Sequence, residues 1–209
     1  MQITDWQVRE WDVPMRSPYR SAQRLTTTAH NVLVSLTVDG EFTGFGESAP
    51  ATYVTGETQA TVADALHRFF AHHAPVSTET LLARAVKELA DSPGARGAVE
   101  IALHDAAARA AGVPLFQRLN PATPANALLA RATDLSLSIL PPDEAGARAA
   151  AAAAQGFQAI KIKIGSGEAE DVARVRAVAE AAPNATLRLD GNQAFTPETA
   201  LSLFDRLTD

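Results

Sequence analysis

Apolar and polar positions along this chain follow two different periods, and the change between them divides it. In residues 31–38, Val32, Val34, Leu36 and Val38 share one phase and Leu33 takes the other, which is the period-two pattern of a strand. Asp39-Gly40 closes that run, and an Asp-Gly pair between apolar strands predicts a tight hairpin. Residues 41–46 read as the returning strand. Gln2 to Val13 also reads as a strand, although Ile3, Trp6, Val8 and Trp11 do not hold one phase. Together they predict a three-stranded antiparallel meander. Met15 to Thr28, with Pro18, Arg16, Arg20 and Arg24, reads as a long polar loop, either solvated or a lid that meets an anionic substrate.

Helical spacing follows. Val62, Leu66, Phe69 and Phe70 predict an amphipathic helix over 57–73. A second helix runs over 78–90, capped by Ser77 or Thr78. Pro93-Gly94 reads as a break, and an alanine-rich helix then spans 95–111, stopped by Gly112 and Pro114. Residues 115–130 look irregular. Past Pro121 the pattern alternates: strand 134–139, helix 142–155, strand 158–164, helix 168–181, strand 185–190, helix 197–207. Strands and helices alternating at this size predict a parallel sheet with helical crossovers. The predicted fold class is therefore α/β: an α+β capping domain over 1–115, a linker over 116–130, and three βα units of a barrel over 131–209. A closed barrel needs about eight such units, so this one is partial.

Bulk properties narrow the function. Of 209 residues, 46% are hydrophobic, enough for a real core. A net charge of -6 without a basic stripe argues against nucleic acid as partner. With no cysteine, disulfides, thiolate catalysis and cysteine-ligated zinc are excluded. The N-terminus resembles no signal peptide, and the alanine run 149–154 is too short to cross a membrane, so a cytoplasmic location is expected.

The chemistry gathers at two strand ends. Lys161 and Lys163 share one face of their strand, and Ile160, Ile162 and Ile164 share the other. Each lysine raises the cost of charging its neighbour, so one can serve as an amine base. The next strand ends on Asp190, a carboxylate suited to a metal ion. Parallel strands would place both on one rim. Other clusters carry less. His67, His72 and His73 lack partners of metal-site type and read as helix-end residues. Glu100 and His104 share a helix face beside Asp105, with no third ligand, and read as packing. Gly165-Ser166-Gly167 is a short glycine loop without the full phosphate-binding motif.

Five stretches in order resemble one family: Gly44-Phe45-Gly46-Glu47; residues 98–105 with Arg109 and Gly112-Val113-Pro114-Leu115; Thr133-Asp134; Lys161-Ile162-Lys163; and Asp190-Gly191-Asn192-Gln193. They resemble the enolase superfamily, in its muconate-lactonising branch, most like the dipeptide epimerases. The resemblance implies a (β/α)7β barrel behind the capping domain. It also implies a magnesium-dependent isomerase that removes the proton alpha to a carboxylate through an enediolate. Its substrate would be a small carboxylate or a dipeptide such as L-Ala-D/L-Glu. Muconate cycloisomerisation and succinylbenzoate synthesis are the alternatives, as is a non-catalytic remnant that needs a partner. By resemblance Lys163 is the base, Lys161 its neighbour that tunes it, and Asp190 a magnesium ligand. Arg24, Thr133 and Asn192 would bind substrate. The family has alanine and tryptophan where this chain has Gly191 and Phe195. Its remaining metal ligands and opposite-face lysine lie on later strands, so the 209 residues alone are expected to be inactive and the full-length protein to be a homo-oligomer.

Overall fold

The computed structural model describes residues 1–71, 76–124 and 132–208. His72, His73 and linker residues 125–130 lie outside them. The chain divides into two compact units, one of Met1–Pro14 with Thr28–Leu128, the other of Met15–Thr27 with Leu129–Asp209.

A sheet of order β1-β2-β3 is made by Ile3–Arg20 (β1), Leu25–Val38 (β2) and Phe42–Ser48 (β3), of which all but residues 15–20 and 25–27 belong to the first unit. Val32, Val34, Leu36 and Val38 are all fully buried, as their shared phase predicts. Asp39 and Gly40 both have positive φ, 52° and 73°, and Glu41 N donates to the Val38 carbonyl, which makes the expected two-residue turn. Thr52–Thr55 (α1) follows, then Gln59–Ala71 (α2), which buries Val62, Leu66, Phe69 and Phe70. Trp6 stacks on Phe70, and His67 lies edge-on to the same indole, a packing role. Thr78–Glu88 (α3) starts at Ser77, whose hydroxyl accepts from Thr80 N at 3.1 Å.

Pro93–Ala110 (α4) corrects the expected break at Pro93-Gly94. Proline fits the first helical turn, where its missing N–H is not needed. The Gly94 N–H that remains is taken by buried Glu57, at 3.0 Å, which also accepts from Ser92 Oγ at 2.6 Å. The alanines of α4 lie against β3. A β-carbon at Gly44 would overlap the backbone of Ala102 and Ala106, and one at Gly46 that of Ala98. Gly-Phe-Gly is thus what lets helix and strand meet backbone to backbone. Asp105 accepts from Phe45 N at 2.9 Å and pins the two together, while Glu100 pairs with Arg96. Leu115–Leu119 (α5) is a short helix inside the stretch expected to be irregular.

The second unit holds a parallel sheet of order β4-β5-β6: Leu135–Leu137 (β4), Ala159–Lys163 (β5) and Thr186–Asp190 (β6). Pro142–Ala154 (α6), Glu168–Ala181 (α7) and Pro197–Thr208 (α8) follow the strands in turn. Ile160 and Ile162 are fully buried and join Ala145, Ala149, Val175 and Val178 in one core. The fold is that of three consecutive βα units, as predicted.

The largest departure is the expected loop over 15–28. It is a hairpin: β1 runs on to Arg20, β2 starts at Leu25, and Ser21 N donates to the Arg24 carbonyl across the turn. Pro14 and Pro18 did not end the strand because β1 is an edge strand, where a missing N–H costs little. The hairpin tip is fastened to the end of β4. Arg20 N donates to Ser138 Oγ at 2.6 Å, and Ser138 Oγ donates to the Arg20 carbonyl at 3.0 Å. Ile139 N donates to the same carbonyl at 2.9 Å. These contacts divert residues 138 and 139 from the ladder, so β4 is shorter than the predicted 134–139.

Candidate functional site

The pairing register sets the site. β5 and β6 run parallel with Lys163 opposite Asp190 and Lys161 opposite Arg188. Lysines 161 and 163 face away from the isoleucine core, toward the side that the strand ends share. Lys163 Nζ donates to Asp190 Oδ2 at 2.6 Å and to Asn192 Oδ1 at 2.6 Å. Lys161 Nζ stands 3.6 Å from the same Asp190 oxygen. The two amines differ in depth: the Lys163 side chain is 9% exposed and that of Lys161 35%.

The turn after β6 holds the acceptor in place. Asn192 and Gln193 both have positive φ, 46° and 65°, unusual for residues with side chains and tolerated best by asparagine. Asn192 N donates back to Asp190 Oδ1 at 3.2 Å. From the hairpin tip, Gln23 Nε2 donates to the Asn192 carbonyl at 3.0 Å. Gly191 and Phe195 are coupled: a β-carbon at 191 would come within 2.7 Å of the Phe195 ring. Gly165, at φ 108°, passes equally close to Ala194 and Ala22, so this position admits no side chain.

Charge follows the geometry. The hydrogen bond from Lys163 holds the Asp190 carboxyl below the usual carboxylate range, helped by the Asn192 N–H and the charges of both lysines and opposed by partial burial. Tyr19, near the end of β1, is pushed the other way. Burial raises its phenol and Asp190 adds to the shift, while Lys161 and a hydrogen bond with Ser136 oppose it.

Lys161, Lys163, Asp190 and Asn192 are thus brought together, and Arg24 lies on the hairpin tip one residue from Gln23. Thr133 is not. It precedes β4, at the opposite end of the sheet, beside the Gly156 turn and Phe157. Level with Gln158 by register, it stands roughly 16 Å along the strand direction from Lys163. Ser136, paired with Lys161, is the β4 residue on the lysines' level. Tyr19 and Gln23 were missed because their segment read as a loop. Alternation extended through Pro14 and Pro18 was the signal available. The glycine loop holds no external anion site at its amides: Gly165 N and Ser166 N both donate to Asp171.

The Asp190 carboxylate and Asn192 Oδ1 are oxygen ligands of the kind that suits a hard divalent cation such as magnesium, and both accept from Lys163 here. The Asp190 carboxylate is partly open to solvent. Among the described residues no three His, Cys, Asp or Glu side chains converge on one point, and no helix is long and apolar enough to cross a membrane.

A basic and an acidic side chain meet at the carboxyl ends of consecutive parallel βα strands, the end at which β/α barrels carry their active sites. Residues 3–119 match the family model described as mandelate racemase / muconate lactonizing enzyme, N-terminal domain, and residues 144–209 match the enolase C-terminal domain-like model. The chain belongs to the mandelate racemase / muconate lactonizing enzyme family. It is 34% identical over 209 residues to a hydrophobic dipeptide epimerase of Citrifermentans bemidjiense, covering 99% of this chain and 57% of that protein. The substrate-liganded L-Ala-D/L-Glu epimerase of Bacillus subtilis superposes with a TM-score of 0.86 at 31% identity, covering 100% of this chain and 58% of the other. A dipeptide epimerase of Methylococcus capsulatus, solved with Mg and the dipeptide L-Arg-D-Lys, gives 0.87 at 32% identity with the same coverage. The chain therefore spans somewhat more than half the length of the relatives it matches.

Proposed function

We propose that this chain carries the base-bearing part of a magnesium-dependent dipeptide epimerase. The observation that supports it most is the pairing of Lys163 Nζ with Asp190 at 2.6 Å on the carboxyl rim of the strands. In this reading Lys163 accepts the proton from the carbon alpha to the substrate carboxylate. Its burial and its register opposite Asp190 favour Lys163, rather than Lys161, as the one amine that acts as base. Lys161, more exposed and on the same face, meets the substrate carboxylate and disfavours a second positive charge beside it. Asn192 holds the amine's direction through its Oδ1. Asp190, whose carboxylate is partly open to solvent, is the residue that would hold magnesium. Bound there, the ion would supply positive charge where negative charge builds up on the carboxylate oxygens as the proton leaves. Tyr19 and Gln23 on the hairpin tip shield the rim from water.

Relatives described as acting on L-Ala-D/L-Glu, hydrophobic and other dipeptides leave the side-chain class to the tip. Arg24 places a guanidinium there and favours an acidic second residue. The test is solvent deuterium uptake at the alpha carbon of Ala-Glu and of hydrophobic dipeptides, followed by NMR with magnesium. It is run on this chain and on this chain fused to the remaining length of a curated relative. The fusion is expected to exchange, Lys163→Ala to abolish exchange, and Arg24→Ala to lower it for Ala-Glu more than for hydrophobic dipeptides. The chain alone is expected to show none. Exchange that persists in Lys163→Ala refutes the assignment of the base.

A further inference from the structure

Behind the lysine rim lies a buried ion pair with no place in the chemistry just described. Asp171 and Arg174 sit one turn apart at the start of α7, with 0% and 2% of their surfaces exposed. Charges at that depth are costly unless every donor and acceptor is used. The partners they use are therefore informative. Asp171 accepts from Gly165 N at 2.7 Å, from Ser166 N at 3.3 Å, from Ser166 Oγ at 3.0 Å and from Arg174 Nη1 at 2.6 Å. Arg174 donates from Nε to the Leu140 carbonyl at 2.6 Å and from Nη2 to Ser166 Oγ at 2.8 Å. Its Nη1 also reaches the Lys163 carbonyl at 3.5 Å. Apart from Leu140 and each other, every partner of these two side chains lies in residues 163–166, where the chain leaves β5. A pair that only stabilised its own helix would resemble Glu144 and Arg148, half-exposed and bonded to each other.

We infer that Asp171 and Arg174 are positioning residues for Lys163, a role that rests on reading Lys163 as the base. The ladder between β5 and β6 ends with Ile164 N donating to the Asp190 carbonyl. The next two N–H groups, of Gly165 and Ser166, go to the Asp171 carboxylate instead of a strand. That carboxylate continues the ladder past its end and holds the backbone from which the Lys163 side chain extends. Asp190 and Asn192 fix the tip of that side chain, and the buried pair fixes its root. The short glycine loop follows from the same need. Gly165 and Gly167, at φ 108° and 138°, let the chain turn so that both N–H groups face one carboxylate.

The chain has three lysines, Lys87, Lys161 and Lys163, and this makes a direct test possible. Limited acylation by a water-soluble amine reagent, read site by site by mass spectrometry, reports the accessibility of each. In the parent chain Lys163 is expected to react slowest and Lys87, exposed on α3, to serve as reference. Asp171→Asn keeps the shape but removes the charge, and Lys163 should then react about fivefold faster relative to Lys87, the size expected from weakening one or two hydrogen bonds. Lys161 should change by less than about twofold, because its own contacts stay in place. Should Asp171→Asn fail to fold, Ser166→Ala decides. It alters an exposed residue, removes one hydrogen bond from each charged partner, and should raise the Lys163 rate about twofold. An unchanged Lys163 rate in the folded variants overturns the inference, and so does a rise in Lys161 equal to that in Lys163, which would mean general loosening. The readout needs neither substrate nor metal, so it is independent of whether dipeptides exchange deuterium.

Discussion

Replacing Ser138 by alanine should open the tip of the β1–β2 hairpin without disturbing the parallel sheet. The Ser138 hydroxyl is buried, accepts from Arg20 N at 2.6 Å and donates to the Arg20 carbonyl at 3.0 Å. Alanine removes both bonds. Each is worth about 0.5–1.5 kcal/mol net, which gives about 1–3 kcal/mol for the two. The lower part of that range applies, because Arg20 is exposed and water can take up its N–H. The bonds from Ile139 N and from Gln23 Nε2 remain. A loss of about 1–2 kcal/mol raises the open population roughly 5- to 30-fold. Trypsin cuts after Arg20 and Arg24 only when the tip is free of its strand geometry. Under conditions where opening is fast relative to cleavage, the rate tracks the open population. Cleavage at these two sites should therefore rise roughly 5- to 30-fold, with far less change at Lys87 on α3. No change at Arg20 and Arg24 would refute the clasp. An equal rise at Lys87 would show instead that the whole chain had been destabilised.

Gly46→Ala should lower stability by about 2–3 kcal/mol, since the new methyl meets the backbone of Ala98 and has no side chain to displace. An unchanged melting temperature would mean that α4 moves away freely. Tyr19 has a raised folded-state pKa, so its contribution to stability is present below the unfolded value of about 10 and is lost as pH rises through the folded value. Tyr19→Phe should reduce the loss of stability at alkaline pH, and an identical alkaline profile would count against it. Asp190 is lowered, so its pairing stabilises above about pH 4 and is lost as pH falls through the folded value. Asp190→Asn should flatten that part of the acid-unfolding curve, and a curve that keeps its shape would mean the pairing is not made in solution.

The elements with one strong period were legible in the sequence. The four buried residues of β2, the Asp-Gly turn, the core face of α2 and the three βα units all follow from spacing alone, because burial on one face leaves no other register open. The failures have a common cause. At Pro14, Pro18 and Pro93 a proline was read as punctuation, and in each case the structure places it where no N–H is required: on an edge strand or in a first helical turn. Tyr19 and Gln23 were lost with the first two. The Asp171–Arg174 pair was invisible for a different reason. Its three-residue spacing on a helix is the spacing of any solvated ion pair, and only the tertiary structure shows that α7 turns that face inward.

The lysines and Asp190 meet because of the isoleucines. Nothing in two strand ends specifies that Lys163 stands opposite Asp190. The register is set by burying Ile160 and Ile162 on the helix side, level with Leu187 and Leu189 of β6. Side chains alternate with a period of two, so a slip of one residue in β5 would turn both lysines toward α6 and α7 and both isoleucines toward the rim. That state would bury two ammonium groups among Ala145, Ala149 and Val178, while Asp171, the buried carboxylate on α7, is already paired with Arg174. The cost excludes it, and the same apolar pattern that stabilises the sheet therefore selects the arrangement in which an amine and a carboxylate lie within hydrogen-bonding distance. An apolar-to-polar change at Ile162 would consequently affect the site before it touched any residue of the site. It would weaken the one preference that keeps Lys163 on the same side as Asp190.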